Sequence, residues 1–326
     1  MQNNINSPKA VHSKGGNFFD DIRLDLDASY RAQDAWLATV EKKNRAGRNI
    51  IRNLLCFAAF GFLQKIKRLE TFVMMGMIKG WFLEFHQYWQ EVLGGRPLTL
   101  MDFHQLRFLY RRRLQSNAVL PWTNYEKHVA NWQTPEHLGL LFKNVYDCAL
   151  HPVRIYPFFK QLKKNARILE YGCAFAPAYR SYRQFFNHKK ARWVLADIEN
   201  YAYHCSRFLF ASDEDIEKMI LIKPSDFDDP LNKVEGQFDV VILMTVFEHL
   251  HKPRHIAEYL MSRLKEGGLF VFDYIKSEAK SLDSEAGLKE RKETLDYLKG
   301  RLTFIEGGIQ NENESVGLCV GIKKKD

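Results

Sequence analysis

The segment ILEYGCAFAPAYRSY, residues 168–182, has the clearest chemical pattern in the chain. An apolar run leads to an acid, Glu170, and breaks at Gly172, after which small residues continue to Pro177. Glycine permits a tight turn and lets a backbone approach a ligand closely, and proline suits the first turn of a helix. The pattern predicts a strand that turns sharply into a helix around a small molecule, such as a nucleotide-type cofactor.

Other candidate ligand contacts follow the next three apolar segments. Asp197 lies 25 residues after Gly172, where an acid can accept hydrogen bonds from ribose hydroxyl groups. Asp226 and Phe227 offer an acceptor for an adenine amine and a flat apolar neighbour, and His249 occurs in LMTVFEHLHKP. Ligands bind at the carboxyl ends of strands in open α/β sheets. We therefore expect these residues to surround one site.

Seven predicted strands must position these residues. They span residues 166–172, 191–198, 218–224, 238–245, 268–275, 301–307 and 316–324. Helical segments are expected between the first five strands, which favours a parallel, doubly wound sheet. A short polar loop joins the last two strands and predicts one antiparallel strand at the edge. Residues 151–159 carry two prolines and are predicted to form a connection into this unit.

The first half of the chain is predicted to be helical, without the alternating strands of the second half. We predict a flexible tail over residues 1–19, a helical region over 20–150 and the sheet-containing domain over 151–326. The uninterrupted apolar run from residue 54 to 63 is half the length of about 20 residues that a bilayer span needs. Residues 50–90 are therefore expected to form buried helices, or helices that rest on a membrane surface or a partner.

Composition narrows the class of protein. Of the 326 residues, 46% are hydrophobic and 27% are charged, which is typical of a globular protein. The five cysteines are scattered without a CxxC pair, and three close histidines at 249, 251 and 255 lack further metal-ligand partners. These features predict a reduced, cytoplasmic protein without disulfides or a zinc site. Residues 1–150 hold 20 Lys and Arg against 13 Asp and Glu, so they carry +7 of the net charge of +9.

Three segments together resemble a known family. ILEYGCAFA, VLADIEN and FDVVILMTVFEHLHKPRHIAEYLMSRLKEGGLFVFDYI are similar to motifs of the class I S-adenosylmethionine-dependent methyltransferases, over about residues 135–326. The resemblance implies a Rossmann-like methyltransferase fold: a doubly wound, seven-stranded, mostly parallel sheet with an antiparallel last strand, preceded by an all-helical region. It implies S-adenosyl-L-methionine as cofactor. The implied cofactor-binding residues are Glu170, Gly172, Cys173, Ala174, Ala176, Asp197, Ile198, Asp226, Phe227 and Met244.

The loop departs from the family pattern at two positions. Gly172 is kept, but Ala174 and Ala176 stand where the second and third loop glycines would be. A positive φ at either position would strain an alanine. A dinucleotide-binding fingerprint fits less well, because it would place Ala174 and Pro177 at its second and third glycines.

The resemblance implies a methyltransferase that acts on an O or N atom of a small or lipid-like acceptor. His249 is our candidate base, because it follows the fourth strand, where the methyl group should point. The helical region is expected to cap the site and to select the acceptor. An RNA methyltransferase is one alternative, since the basic region could contact phosphates and its aromatic residues could stack on bases. A non-catalytic scaffold that kept the fold is another.

Overall fold

A computed structural model describes residues 79–93, 97, 103, 125–133, 137–147, 154–276 and 283–325. The predicted tail, the apolar run 54–63 and the first helices of the basic region lie outside the described residues. None of the helices in the described part has the length and apolar character needed to cross a bilayer.

The predicted sheet is confirmed. Its strands are β1 (Arg167–Tyr171), β2 (Arg192–Ile198), β3 (Ile216–Ile222), β4 (Phe238–Leu243), β5 (Leu264–Tyr274), β6 (Leu302–Glu306) and β7 (Val316–Lys323). The order across the sheet is β3-β2-β1-β4-β5-β7-β6. Strands β1 to β5 are parallel, and β7 is antiparallel to both of its neighbours. The carboxyl ends of β1 to β5 therefore meet at one edge.

The position of the antiparallel strand corrects one expectation. We predicted an antiparallel strand at the edge of the sheet, but β7 lies between β5 and β6, and β6 is the outer strand. A hairpin-like connection fixes only that β6 and β7 run in opposite directions. Which of them pairs with β5 depends on tertiary packing.

The described helices are α1 (Lys79–Glu91), α2 (Tyr125–Trp132), α3 (Leu138–Asp147), α4 (Tyr156–Gln161), α5 (Pro177–Phe185), α6 (Tyr201–Phe210), α7 (Pro253–Ser262), α8 (Glu285–Lys289) and α9 (Arg291–Arg301). One helix was not predicted from the sequence, and one predicted helix is absent from the described residues. Helix α4 forms within the expected connection, with Pro157 in its first turn. Between β3 and β4 there is only a 3₁₀ turn, Pro224–Asp226, within a loop rich in proline and aspartate, residues that favour turns.

Three buried clusters hold the molecule together. Two of them cover the two faces of the sheet. The third joins α1, α3 and α6 to Phe175, which belongs to the loop after β1. The boundary drawn near residue 150 therefore does not separate two independent cores.

Helix α1 is fixed to the helices that flank the β1 loop. Its aromatic side chains Phe85, Tyr88 and Trp89 are fully buried, and the hydroxyl of Tyr88 lies 2.6 Å from Nδ1 of His204 in α6. Glu84 of α1 forms an ion pair with the buried Arg180 of α5. These contacts place α1 beside α5 and α6.

Truncation of Phe85 tests this arrangement. Phe85 packs against the rings of Trp89, Phe103 and Phe142, so Phe85→Ala should lower the free energy of unfolding by about 3–5 kcal/mol. Leu83 on the same helix is 54% exposed, and Leu83→Ala should change this free energy by only about 0.5 kcal/mol. Urea denaturation followed by circular dichroism measures both. Equal losses for the two variants would contradict the described packing of α1.

Candidate active site

Glu170 anchors the turn from β1 into α5. Its two carboxylate oxygens accept hydrogen bonds from the backbone amides of Ala178 and Tyr179, each at 2.9 Å. These amides belong to the first turn of α5 and have no partner within the helix. Burial raises the pKa of Glu170 to about 8, although both amides act in the opposite direction. The acid of the sequence motif thus orients the helix that follows the loop.

Asp197 holds the loop from the neighbouring strand. Its Oδ2 accepts a hydrogen bond from the amide of Ala174 at 2.5 Å, and Oδ1 accepts from the amide of Ile198 at 2.7 Å and the side chain of Asn200 at 3.2 Å. Burial raises its pKa to about 7 against these donors. A carboxylate has about four acceptor positions, so an acceptor position remains on Asp197 for a ligand.

The two loop alanines adopt left-handed backbone conformations. The φ angle is 44° at Ala174 and 49° at Ala176, a region that costs a residue with a Cβ about 1–2 kcal/mol. The expected strain is therefore present. Two hydrogen bonds offset this strain. The carbonyl of Ala174 accepts from the hydroxyl of Ser206 at 2.7 Å, and the amide of Ala176 donates to the carbonyl of Cys173 at 2.6 Å.

Gly172 is required for both conformation and space. Its φ is +66°, and a Cβ at this position would lie 2.3 Å from Cγ2 of Val246, which follows β4. Its amide donates to the carbonyl of Ala196 in β2 at 2.8 Å. The backbone of the loop thus lies close to the ends of β2 and β4. The space above the carboxyl edge of the sheet stays open.

A cavity of about 520 Å³ lies at this edge, within the range of about 300–1,000 Å³ that is usual for ligand sites. The structure brings together nine of the predicted site residues in its wall. They are Glu170, Gly172, Cys173, Ala174, Asp197, Ile198, Phe227, Met244 and His249.

Two predicted residues are not among those that line the cavity. Ala176 is fully buried and precedes the first residue of α5. The carboxylate of Asp226 accepts hydrogen bonds from the hydroxyl of Ser225 at 3.1 Å and the amide of Lys223 at 3.4 Å. The described contacts of Asp226 thus serve its own turn.

His249 lines the cavity beside a buried acid that sequence reasoning missed. Its Nδ1 lies 3.4 Å from Oδ1 of Asp283, and its ring packs edge-on against Trp132 of α2 with centroids 5.2 Å apart. Burial raises the pKa of Asp283 to about 6. The amide of Ser284 donates to the carbonyl of Glu248 at 2.8 Å, which ties this segment to the turn that carries His249. No sequence pattern pointed to this pairing.

Burial also raises the pKa of two further acids, Asp273 and Glu248. Asp273 lies at the end of β5, lines the cavity, and accepts a hydrogen bond from the amide of Thr245 at 2.5 Å. Burial raises the pKa of Asp273 to about 6 and that of Glu248 well above its usual value. Asp273 could have been found from the sequence, because it ends a predicted strand as Asp197 does.

The helices before the sheet supply one wall of the cavity. The lining residues from α2, α3 and the turn before α3 are Trp132, His137, Leu140, Lys143 and Asn144. The sequence analysis expected the helical region to cap the site but did not single out these residues. Within the described ranges, no group of three or more His, Cys, Asp or Glu side chains is arranged to hold a metal ion.

One family model matches the part of the chain that contains most of the sheet. Residues 152–306 match a family model described as a methyltransferase domain. No curated protein matches the chain. Among solved structures, a Haloferax volcanii methyltransferase in complex with the Trm112 activator is 18% identical, with a TM-score of 0.42, and the match covers 62% of this chain and 98% of that one.

Two other solved structures show the same level of similarity. The N-methyltransferase NodS from Bradyrhizobium japonicum is 16% identical, with a TM-score of 0.38 and coverage of 54% of this chain and 94% of that one. The Podospora anserina methyltransferase PaMTH1, solved with bound SAH, is 14% identical, with a TM-score of 0.41 and coverage of 71% and 100%.

The match to the family model bears on the class of protein. Residues 152–306 match a methyltransferase domain, which confirms the resemblance that the sequence motifs predicted.

Replacement of Gly172 tests the geometry of the loop. Gly172→Ala places a Cβ against Val246 in addition to the strain of a positive φ, so it should destabilise the fold by about 1–3 kcal/mol beyond that strain. Gly267 is a matched control, because its φ is +67° but a Cβ there meets nothing within 4 Å. Urea denaturation of both variants gives the difference. Equal stabilities would show that Val246 does not constrain the loop.

Proposed function

We propose that this protein transfers the methyl group of S-adenosyl-L-methionine to an O or N atom of a small acceptor. The observation that carries the proposal is a single cavity that contains the left-handed loop, the acid Asp197 at the end of β2 and the histidine His249 after β4. These are the groups needed to bind a nucleoside and to accept a proton next to it.

The residues present fit the cofactor. The loop backbone at Gly172 leaves space that a Cβ would fill, and Asp197 retains acceptor capacity for ribose hydroxyls. Ile198 and Phe227 offer apolar surface in the same cavity, suited to a purine ring. Asp197, Ile198 and Phe227 would hold the adenosine part, and the loop after β1 would approach the amino-acid part.

The cofactor, when bound, supplies an activated methyl group on a sulfonium. The chain has to align the acceptor, exclude water and remove a proton from a hydroxyl or ammonium group. Alignment alone can contribute several kcal/mol. His249 would accept the proton, and Asp283 would keep its imidazole oriented through Nδ1, so that Nε2 is presented to the acceptor. Trp132 from α2 would shield this part of the cavity from water.

The aromatic side chains of α1 do not support an RNA enzyme. Base stacking requires exposed rings, whereas Phe85, Tyr88 and Trp89 are fully buried. Their burial, and the contribution of α2 and α3 to the cavity wall, favour a role of the described helices in forming the acceptor site.

The charge of Asp197 should control cofactor affinity. Asp197→Asn removes a charged acceptor for ribose hydroxyls, so it should weaken binding of S-adenosyl-L-methionine by about 1.5–3 kcal/mol, roughly 10- to 150-fold. Because the pKa of Asp197 is raised to about 7, its carboxylate loses its proton only as the pH rises through that value. Wild-type affinity should therefore increase between about pH 6 and pH 8.

Calorimetric titrations across this pH range measure both effects. The increase attributable to Asp197 should disappear in Asp197→Asn and persist in Asp296→Asn, a control at an exposed acid of α9. The same pH dependence in both variants, or an unchanged affinity of Asp197→Asn, would contradict the ribose assignment. No binding by the wild type would reject the proposed function.

His249 should affect transfer more than cofactor binding. A proton acceptor in the transition state contributes about 100-fold or more to the rate, so His249→Gln should lower transfer by at least this factor with little change in cofactor affinity. Asp283→Asn should lower kcat with a smaller change in KM. The pKa of Asp283 is about 6, so Asp283 is ionised above this pH, and its contribution to activity should fade below it.

Methyl-labelled cofactor and a small-molecule extract of cells provide the assay. Product is counted for each variant and identified by the mass of one added methyl group. His255→Gln is the matched control, because His255 is not among the residues that line the cavity and its Nε2 lies 3.0 Å from the carbonyl of Asp228. If His249→Gln and His255→Gln transfer the methyl group at equal rates, His249 is not the base.

A further inference from the structure

The order of the strands divides the cavity into two halves. Asp197 ends β2 and Asp273 ends β5, and these strands are separated by β1 and β4. At about 4.8 Å between neighbouring strands, the two acids are roughly 14 Å apart across the sheet. The proposed function requires the cofactor to lie over the carboxyl ends of β1, β2 and β3. The part of the cavity over the ends of β4 and β5, called the acceptor half, is then left for the acceptor.

Arg154 lies on the acceptor half. It lines the cavity just before α4, and its positive charge acts on Asp273 by lowering a pKa that burial raises to about 6. The two side chains nevertheless form no ion pair. Arg154 makes no ion pair or hydrogen bond within the described ranges of the chain, and it is exposed to solvent.

Lys143 is a second cation in the cavity lining. It lies on α3, three residues after Leu140, and both residues line the cavity. Its ammonium group has no hydrogen-bond or ion-pair partner in the part of the chain that the structure describes. Lys252 provides the contrast, because its Nζ in the same cavity wall is held by Asp228 at 2.6 Å.

Neither cation forms an ion pair with an acid among the described residues. Asp273 directs its oxygens to the amide and hydroxyl of Thr245, at 2.5 and 3.4 Å, and Asp283 lies beside His249. Two cations of the cavity lining that have no ion-pair partner in the described part of the chain favour binding of an anion. The planar guanidinium of arginine matches a carboxylate or a phosphate by paired hydrogen bonds.

Part of the cavity lining is apolar. Trp132, Leu140, Met244 and Leu318 line the cavity together with the two cations. A ligand that contacts all of these groups would have an apolar body and one anionic end. Its remaining end would face His249.

We propose that the methyl acceptor is a small, partly apolar molecule with a carboxylate or phosphate group, and that Lys143 and Arg154 bind this group while His249 faces the atom to be methylated. The inference rests on the proposed function for the division of the cavity. It adds the charge class of the acceptor and two residues that determine specificity.

Binding of model anions tests the proposal on the intact protein saturated with S-adenosylhomocysteine. Benzoate, phenyl phosphate and the neutral benzamide share one apolar body and differ in charge. We expect benzoate or phenyl phosphate to bind at least about tenfold more tightly than benzamide, a difference of about 1.4 kcal/mol. The tighter of the two anions identifies the group as a carboxylate or a phosphate.

Variants show whether the two cations are responsible. The double variant Lys143→Gln, Arg154→Gln should lose the preference for the anion, and Lys164→Gln, at an exposed lysine outside the cavity lining, should keep it. Equal binding of anions and benzamide by the wild type, or a preference that survives in the double variant, overturns the proposal. Calorimetry with S-adenosylhomocysteine alone reports separately on the proposed function. If this ligand binds and anions are not preferred, only the charge class of the acceptor is wrong.

Discussion

The hydrogen bonds from backbone amides to two buried carboxylates hold the candidate site together. Glu170 accepts from the first turn of α5, and Asp197 accepts from the loop that precedes this helix. Strands β1 and β2 are paired in parallel, so both acids reach the same loop from adjacent strands. Buried amides need partners, and the carboxylates supply them at the point where the chain must leave the sheet and remain open to a ligand. The strain at Ala174 and Ala176 is tolerated because this pairing fixes the backbone around them.

The same loop connects the sheet to the helices that precede it. Phe175 belongs to the core formed by α1, α3 and α6, and the guanidinium of Arg180 lies over its ring at 3.6 Å while pairing with Glu84 of α1. Helices α2 and α3 in turn line the cavity. A change in these helices therefore reaches the loop through direct packing, and the ligand site is a product of both parts of the chain.

Burial sets the electrostatics of the cavity. The pKa values of Glu170, Asp197, Asp273 and Asp283 are all raised, to about 8, 7, 6 and 6. The folded protein therefore holds more protons than the unfolded chain between about pH 4 and pH 8, so these acids reduce stability as the pH rises through that range. A cationic ligand beside them would favour their ionised forms. The cations Lys143 and Arg154 also line the cavity, so its lining carries charges of both signs.

The sequence by itself determined the strands, the loop after β1 and most of the strand ends that meet at the cavity. Short apolar segments bounded by turn residues specify strands locally, and the rule that ligands bind at carboxyl ends places Gly172, Asp197 and Phe227 together. Tertiary structure decided that β7 lies between β5 and β6, since a hairpin leaves this choice to packing. It also decided the pairing of His249 with Asp283, 34 residues later in the chain, and the contribution of Trp132, Lys143 and Arg154 to the cavity. Those residues carry no local signal, because their roles depend on which helix face meets the sheet edge after the core has formed.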